Sequence, residues 1–124
     1  SLPALSRSHK IGDKTNRVGF DWKNANDVFE KVLEEVEETK VELGRKNQDV
    51  AALEHEIGDV LFSVTQLARH LGLEAERCLR TANTRFEKRY FTMKNNIEAR
   101  GETIENLSTD QLEEEWRKVK LALA

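Results

Sequence analysis

The feature that most constrains the fold is a succession of apolar residues spaced three or four positions apart, as in amphipathic α-helices. Four such stripes run from Val28 to Leu43, Leu53 to Leu71, Ala75 to Ile97 and Leu112 to Leu121. Asn24 or Asn26 can cap the first predicted helix, and Ser108 with Gln111 forms a capping-box pattern before the fourth. A glycine follows each of the first three stripes, and the chain contains one proline. The sequence therefore predicts an all-α protein with four helices.

The length of 124 residues suits one domain with a modest core. We divide the chain into an N-terminal connecting segment, residues 1–21, and a helical domain, residues 22–124. The first residue is not methionine, and we expect a domain excised from a longer protein.

Charge and cysteine content narrow the class of protein. The formal net charge is −3, which gives no electrostatic basis for binding nucleic acid or an acidic membrane nonspecifically. The single Cys78 excludes an intramolecular disulfide, and no apolar run approaches the roughly 20 residues that span a bilayer. We therefore expect a cytoplasmic protein with no nucleic-acid or membrane partner.

The second predicted helix is apolar on two sides, because Phe62 lies nearly opposite Leu53, Ile57 and Val64 at about 100° per residue. A helix of this kind is usually buried on both sides. We expect it to lie at a subunit interface in a homodimer or higher homo-oligomer. The alternative is that the fourth helix covers Phe62 within one chain.

Two acidic stretches, E-E-V-E-E at residues 34–38 and E-I-G-D at residues 56–59, border the apolar stripes of the first two predicted helices. On a helical wheel Glu35 and Glu38 flank the first stripe, whereas Glu34 points further out. Glu56 and Asp59 flank the second stripe in the same way. If the two helices pack antiparallel, the four carboxylates Glu35, Glu38, Glu56 and Asp59 converge.

Carboxylates at such short distances repel one another unless they take up protons or bind cations. Oxygen ligands without nearby sulfur favour Mg²⁺, with Mn²⁺ as a possible substitute. A solvated acidic helix face is the alternative without a ligand. A di-iron site would require Glu-x-x-His on two helices, and neither His55 nor His70 follows a glutamate at that spacing.

Basic and aromatic residues on the last two predicted helices complement the acidic cluster. Arg85 and Arg89 lie one turn apart with Asn83 nearby, and Trp116 and Lys120 lie one turn apart. Guanidinium groups suit phosphate oxygens, and an indole can cover a base or a sugar. Carboxylates, a metal and cations together are typical of a site that acts on a phosphoanhydride.

Four segments, E-E-V-E-E, E-I-G-D-V-L-F, A-N-T-R-F-E-K-R and E-E-E-W-R-K-V-K, occur in the order and with separations that resemble the MazG family of nucleoside triphosphate pyrophosphohydrolases. The resemblance runs from about Val18 to Lys120. The opening L-P-A-L and the following G-F-D-W resemble the segment that leads into the C-terminal catalytic domain of two-domain members.

The resemblance implies a helical bundle completed by dimerisation and Mg²⁺-dependent hydrolysis of NTPs or dNTPs to the monophosphate and pyrophosphate. By position it implies metal ligation and catalysis by Glu35, Glu38, Glu56 and Asp59, and substrate contacts by Asn83, Arg85, Arg89, Trp116 and Lys120. A water activated by the metal would attack the α-phosphorus. The sequence does not choose the base or the sugar.

Two departures and two alternatives qualify this interpretation. His55 and Ala52 occupy a stretch where relatives often carry a further carboxylate or a lysine, and Arg85 stands where lysine is common. The role of His55 therefore stays open. The alternatives are a sister enzyme acting on dUTP, dCTP or phosphoribosyl-ATP, and a noncatalytic nucleotide-binding dimerisation module.

Overall fold

The computed structural model describes residues 2–124 and contains helices but no strand in that range. This agrees with the predicted all-α class. The elements are α1 Ala4–Arg17, α2 Ala25–Leu43, α3 Val50–His70, α4 Ala75–Ala99, a short 3-10 helix Ile104–Asn106 and α5 Thr109–Ala122. None of the helices within residues 2–124 is both long and apolar enough to cross a membrane.

Polar caps begin three of these helices. Asn24 Oδ1 accepts a hydrogen bond of 2.9 Å from the backbone N–H of Asp27, and Asp49 accepts one of 3.0 Å from Ala51 at the start of α3. Ser108 and Gln111 form the complete capping box that precedes α5. These contacts confirm the capping box and identify Asn24, rather than Asn26, as the cap of α2.

The prediction of four helices is incomplete, because α1 lies within residues 1–21, where a connecting segment was expected. The apolar pattern of this helix is weak in the sequence, because polar residues dominate it and a glycine interrupts it. That glycine, Gly12, is buried where α1 packs on α3. A Cβ added to Gly12 would lie 2.0 Å from Gln66 Oε1, so the two helices approach closely because the side chain is missing. The boundary at residue 21 itself stays a prediction.

The described chain divides within α4 into two compact units, one ending at Cys78 and the other comprising Leu79–Ala124. In the first unit, α3 packs along α2 and also against α1. The connection between α2 and α3, residues 44–49, is short, which favours antiparallel neighbours. Val28 of α2 is completely buried, and so is Gln66 of α3.

Gln66 begins a network of hydrogen bonds that ties three segments of the first unit together. Its amide Nε2 donates to the Ser8 carbonyl of α1 at 2.8 Å, and its Oε1 accepts from Arg69 Nε at 2.8 Å. Arg69 also donates to Asp21 Oδ1 at 2.6 Å. Every buried polar group named here has a partner, so the network holds α1 and the segment after it on α3.

The predicted apolar stripes of α2 and α3 are only partly buried. Their half-exposed members include Phe29, Leu33 and Val36 on α2 and Ile57, Leu61 and Val64 on α3. Phe62 is also partly exposed and borders a cavity beside α1. The sequence analysis expected either a second subunit or the fourth predicted helix to cover Phe62, and did not consider α1. Exposed apolar area on this scale usually marks an interaction surface.

The second unit has its own small core. Met93 and Ile97 of α4 and Val119 of α5 are buried there. They are flanked by partly buried apolar residues of the 3-10 helix, of α5 and of the segments beside them: Ile104, Leu107, Leu112, Trp116 and Leu123. Arg100 donates to Glu115 Oε1 at 2.8 Å, which links the end of α4 to α5.

Candidate active site

Three of the predicted carboxylates meet between α2 and α3. One oxygen from each of Glu35, Glu38 and Glu56 lies within 4.8 Å of the others. Glu35 and Glu38 are one turn apart on α2, and Glu56 is on the facing helix, so helix packing alone brings them together. Glu35 is buried, Glu56 is half-buried and Glu38 is exposed. The cluster is therefore open to solvent on the side of Glu38.

The two neighbouring carboxylates disfavour the charged form of Glu38. The charge of Glu35 raises the pKa of Glu38 above its ordinary value, and desolvation and the charge of Glu56 add to the effect. Glu35 Oε2 and Glu56 Oε2 are buried and accept no hydrogen bond from residues 2–124. Buried, unpaired carboxylate oxygens are costly in a folded protein. They are also the donor atoms that a hard divalent cation prefers.

Lys31 is a neighbour of the cluster that the sequence analysis did not select. Its Nζ lies 3.2 Å from Glu35 Oε1 and 3.4 Å from Glu34 Oε1. The hydrogen bond to Glu35 is the main cause that raises the pKa of Lys31. The signal was present in the sequence, because Lys31 precedes Glu35 by four residues on the same helix. Lys31 neutralises part of the charge of Glu35.

Asp59, the fourth predicted carboxylate, does not belong to the group of three. Its Oδ2 lies 3.1 Å from Nε2 of His55, one turn earlier on α3, and His55 is 70% exposed. Its place on α3, one turn after Glu56, agrees with the wheel. The structure therefore assembles Glu35, Glu38 and Glu56 and leaves Asp59 paired with His55.

The predicted substrate contacts lie in the second unit. Asn83 and Arg85 are exposed on α4, and Arg89, one turn after Arg85, is half-buried with no hydrogen-bond partner for its Nε among residues 2–124. Lys120 is exposed on α5. The Trp116 ring lies 5.0 Å from that of Phe86 at an angle of 44° and packs on the core of this unit. Trp116 therefore has a structural role, as well as any contact with a ligand.

Asp21 lies at the centre of a second set of polar contacts, which the sequence analysis did not predict. Its Oδ1 accepts hydrogen bonds from Arg69 at 2.6 Å and from the backbone N–H of Trp22 at 2.8 Å, and lies 2.9 Å from His70 Nε2. The hydrogen bond from Arg69 is the main cause that lowers the pKa of Asp21 to about 2. No local pattern predicts this pairing, since the partners are 48 and 49 residues apart.

Comparison with known proteins identifies a family over more than half of the chain. Residues 24–93 match the model of the MazG nucleotide pyrophosphohydrolase domain. That range contains the carboxylate cluster, Asp59, Asn83, Arg85 and Arg89, whereas Trp116 and Lys120 lie beyond it.

Longer similarities extend over nearly the whole chain. A nucleoside triphosphate pyrophosphohydrolase of Escherichia coli K12 is 42% identical over 120 residues, which are 97% of this chain and 46% of that protein. The nucleoside triphosphate pyrophosphohydrolase/pyrophosphatase MazG of Thermotoga maritima is 40% identical over 119 residues, 96% of this chain and 45% of that protein. The chain thus spans just under half the length of these relatives.

Proposed function

The chain belongs to the MazG nucleotide pyrophosphohydrolase family, and we propose that it hydrolyses nucleoside triphosphates, NTPs or dNTPs, to the monophosphate and pyrophosphate. The names of the E. coli and T. maritima relatives support this activity. The observation that carries the proposal is the meeting of Glu35, Glu38 and Glu56, with two buried oxygens that no described residue satisfies. Clustered like charge of this kind costs folding stability, and such a cost is typical of functional sites.

We propose that Glu35, Glu38, Glu56 and Asp59 hold Mg²⁺, for which Mn²⁺ can substitute. The donor set fits, because it consists of carboxylate oxygens without sulfur. Bound Mg²⁺ would offset the charge of the phosphates and lower the pKa of a coordinated water. Lys31, which pairs with Glu35, offsets part of the negative charge of the site.

The cationic residues of α4 and α5 are assigned to the substrate. Arg85, Arg89 and Lys120 neutralise phosphate oxygens, with the guanidinium groups able to bind two oxygens at once. Asn83 and Trp116 contact the nucleotide. In the reaction, a bond forms between the water oxygen and the α-phosphorus, and the bond from that phosphorus to the bridging oxygen breaks. Pyrophosphate leaves with that oxygen, and the attacking water loses a proton to the solvent.

The exposed apolar residues of α2 and α3 support a homodimer as the working form. Phe29, Leu33, Ile57 and Leu61 are each about half exposed, and burying them against a second copy would remove apolar area from water. Sedimentation at micromolar protein tests this proposal, and a monomeric mass would contradict it.

The test of the activity is the identity of the first product. ATP and a panel of other NTPs and dNTPs, incubated with Mg²⁺, should release pyrophosphate and the monophosphate, detected by ³¹P NMR. The Glu56→Gln variant should release neither pyrophosphate nor the monophosphate. Chelation of Mg²⁺ should stop the reaction of the wild type. Orthophosphate released together with a diphosphate would show attack at the γ-phosphorus and refute the proposal. Nucleotide binding without turnover would point to a noncatalytic module.

A further inference from the structure

A cavity of about 420 Å³ lies beside α3 in the first unit. Seven residues from α1, the segment after it and α3 contribute side chains to its lining: Ile11, Thr15, Phe20, Asp21, Trp22, Phe62 and Gln66. Its volume is within the range of about 300–1,000 Å³ typical of small-molecule sites. Phe20 is 77% exposed, so the cavity opens to solvent at that residue.

The walls present aromatic faces and few free hydrogen-bonding groups. Phe20 and Trp22 come from the segment after α1, and Phe62 comes from α3. The polar side chains in the lining make hydrogen bonds within the protein. Gln66 bonds to Ser8 and Arg69, Asp21 Oδ1 accepts from Arg69, and Thr15 Oγ1 donates to the Gly12 carbonyl at 3.1 Å. Such a lining favours a flat aromatic ring over a charged group or a sugar.

The cavity is held in shape by the buried network around it. Asp21, between Phe20 and Trp22 in sequence, is fixed on α3 by Arg69 and His70. The Trp22 ring also meets the His70 ring edge to face, with centroids 6.3 Å apart. Because these contacts anchor Trp22 and its segment on α3, a ligand that enters the cavity would not have to order this wall on binding.

The position of the cavity relates it to the carboxylates. Phe62 follows Asp59 by three residues on α3 and Gln66 follows it by seven, so the cavity begins about 4.5 Å beyond Asp59 along the helix axis and extends to about 10 Å. In a nucleoside triphosphate a single sugar separates the α-phosphate from the base. A triphosphate held at the carboxylates can therefore direct its base towards this cavity.

We propose that the cavity is the nucleobase subsite, with the base held by its faces among Phe20, Trp22 and Phe62. This inference rests on the proposed function, since it takes the phosphates to lie at Glu35, Glu38, Glu56 and Asp59. It adds α1 and the G-F-D-W segment, residues 19–22, to the substrate site.

The test compares two substrates that differ only in the base. ATP and ribose 5-triphosphate are assayed with the wild type, with Phe62→Ala and with Phe91→Ala, a matched control because Phe91 is 59% exposed on α4. Phe62→Ala should lower kcat/KM for ATP by about tenfold, the scale of one base-stacking contact, mainly through KM. The same substitution should leave kcat/KM for ribose 5-triphosphate unchanged. Phe91→Ala should leave kcat/KM unchanged for both substrates. An equal loss on both substrates would overturn the proposal, because Phe62 would then act on the fold or on Asp59.

A binding measurement separates failure of the subsite from failure of the proposed activity. In ¹⁵N-labelled protein, the Trp22 indole N–H signal, assigned with Trp22→Phe, is followed during titration with the α,β-methylene analogue of ATP and with ribose 5-triphosphate. The analogue should shift the signal and the base-free compound should not, whether or not ATP is hydrolysed. A Trp22 signal that is unmoved while Glu38 amide signals shift would overturn the subsite. A signal that moves only with protein concentration would assign the cavity to a second copy of the chain, which also overturns it.

Discussion

Replacement of Asp21 by asparagine tests how strongly the segment before α2 is anchored. The substitution keeps an oxygen that can accept hydrogen bonds but removes the charge that faces Arg69 and His70. The side chains of all three residues are nearly buried, with exposures of 10%, 8% and 12% for Asp21, Arg69 and His70. Removing the charge of Asp21 leaves the buried charge of Arg69 without its closest partner, and this is the costly way to break a buried ion pair.

The magnitude follows from the pKa of Asp21, which the native contacts lower from 3.8 to about 2. At about 1.4 kcal/mol per pKa unit, the charged form contributes up to about 2 kcal/mol to the free energy of unfolding near neutral pH. Because the pKa of Asp21 is lower in the folded state, the charged carboxylate stabilises the fold at any pH above the unfolded-state pKa. The contribution is lost as the pH falls from 3.8 towards about 2, and about half of it should remain at pH 3.

The assay is urea unfolding followed by far-UV circular dichroism at pH 7, 5, 4 and 3. Asp21→Asn should be less stable than the wild type by about 2 kcal/mol at pH 7, and the difference should shrink at pH 3. Asp13→Asn is the matched control, because Asp13 lies 3.9 Å from Arg69 and is 47% exposed; its effect should stay under about 1 kcal/mol. A difference between Asp21→Asn and the wild type that does not vary with pH would refute the reasoning.

Three further predictions concern the candidate site and the packing of α1. The raised pKa of Glu38 means that the folded apoprotein loses stability as the pH rises from 4.5 through the raised value. Glu38→Gln should flatten this decline in thermal melts with chelator and abolish turnover, whereas retained activity would exclude Glu38 from the site. Arg89→Ala should lower kcat by about 100-fold with Mg²⁺ binding unchanged by calorimetry, and unchanged kcat and KM would remove Arg89 from the site. Gly12→Ala should destabilise the fold by about 1–3 kcal/mol, because its Cβ would clash with Gln66 and Arg69. Gly58→Ala, where an added Cβ meets no described atom within 4 Å, should be neutral or stabilising in the same urea titration.

The helices after residue 22 could be read from the sequence because their signals are local. The apolar period and the caps at Asn24 and Ser108 depend on residues at most a few positions apart, and these interactions form as soon as the helix does. The acidic cluster was also predictable in part. Glu35 and Glu38 share a helix flank by spacing alone, and a short connection brings the next helix, with Glu56, alongside.

Tertiary structure decided what local patterns do not encode. Gln66 and Ser8 are 58 residues apart and Arg69 and Asp21 are 48 apart, so no periodicity indicates that α1 and the G-F-D-W segment pack on α3. The same is true of the cavity at Phe62, whose lining comes from α1, the segment after it and α3. Asp59 shares a flank of α3 with Glu56, yet only Glu56 meets Glu35 and Glu38 of α2, because the packing of the two helices decides which of their side chains face each other. Spacing along a helix fixes which flank a carboxylate occupies, whereas the neighbours it meets there depend on how distant segments of the chain pack.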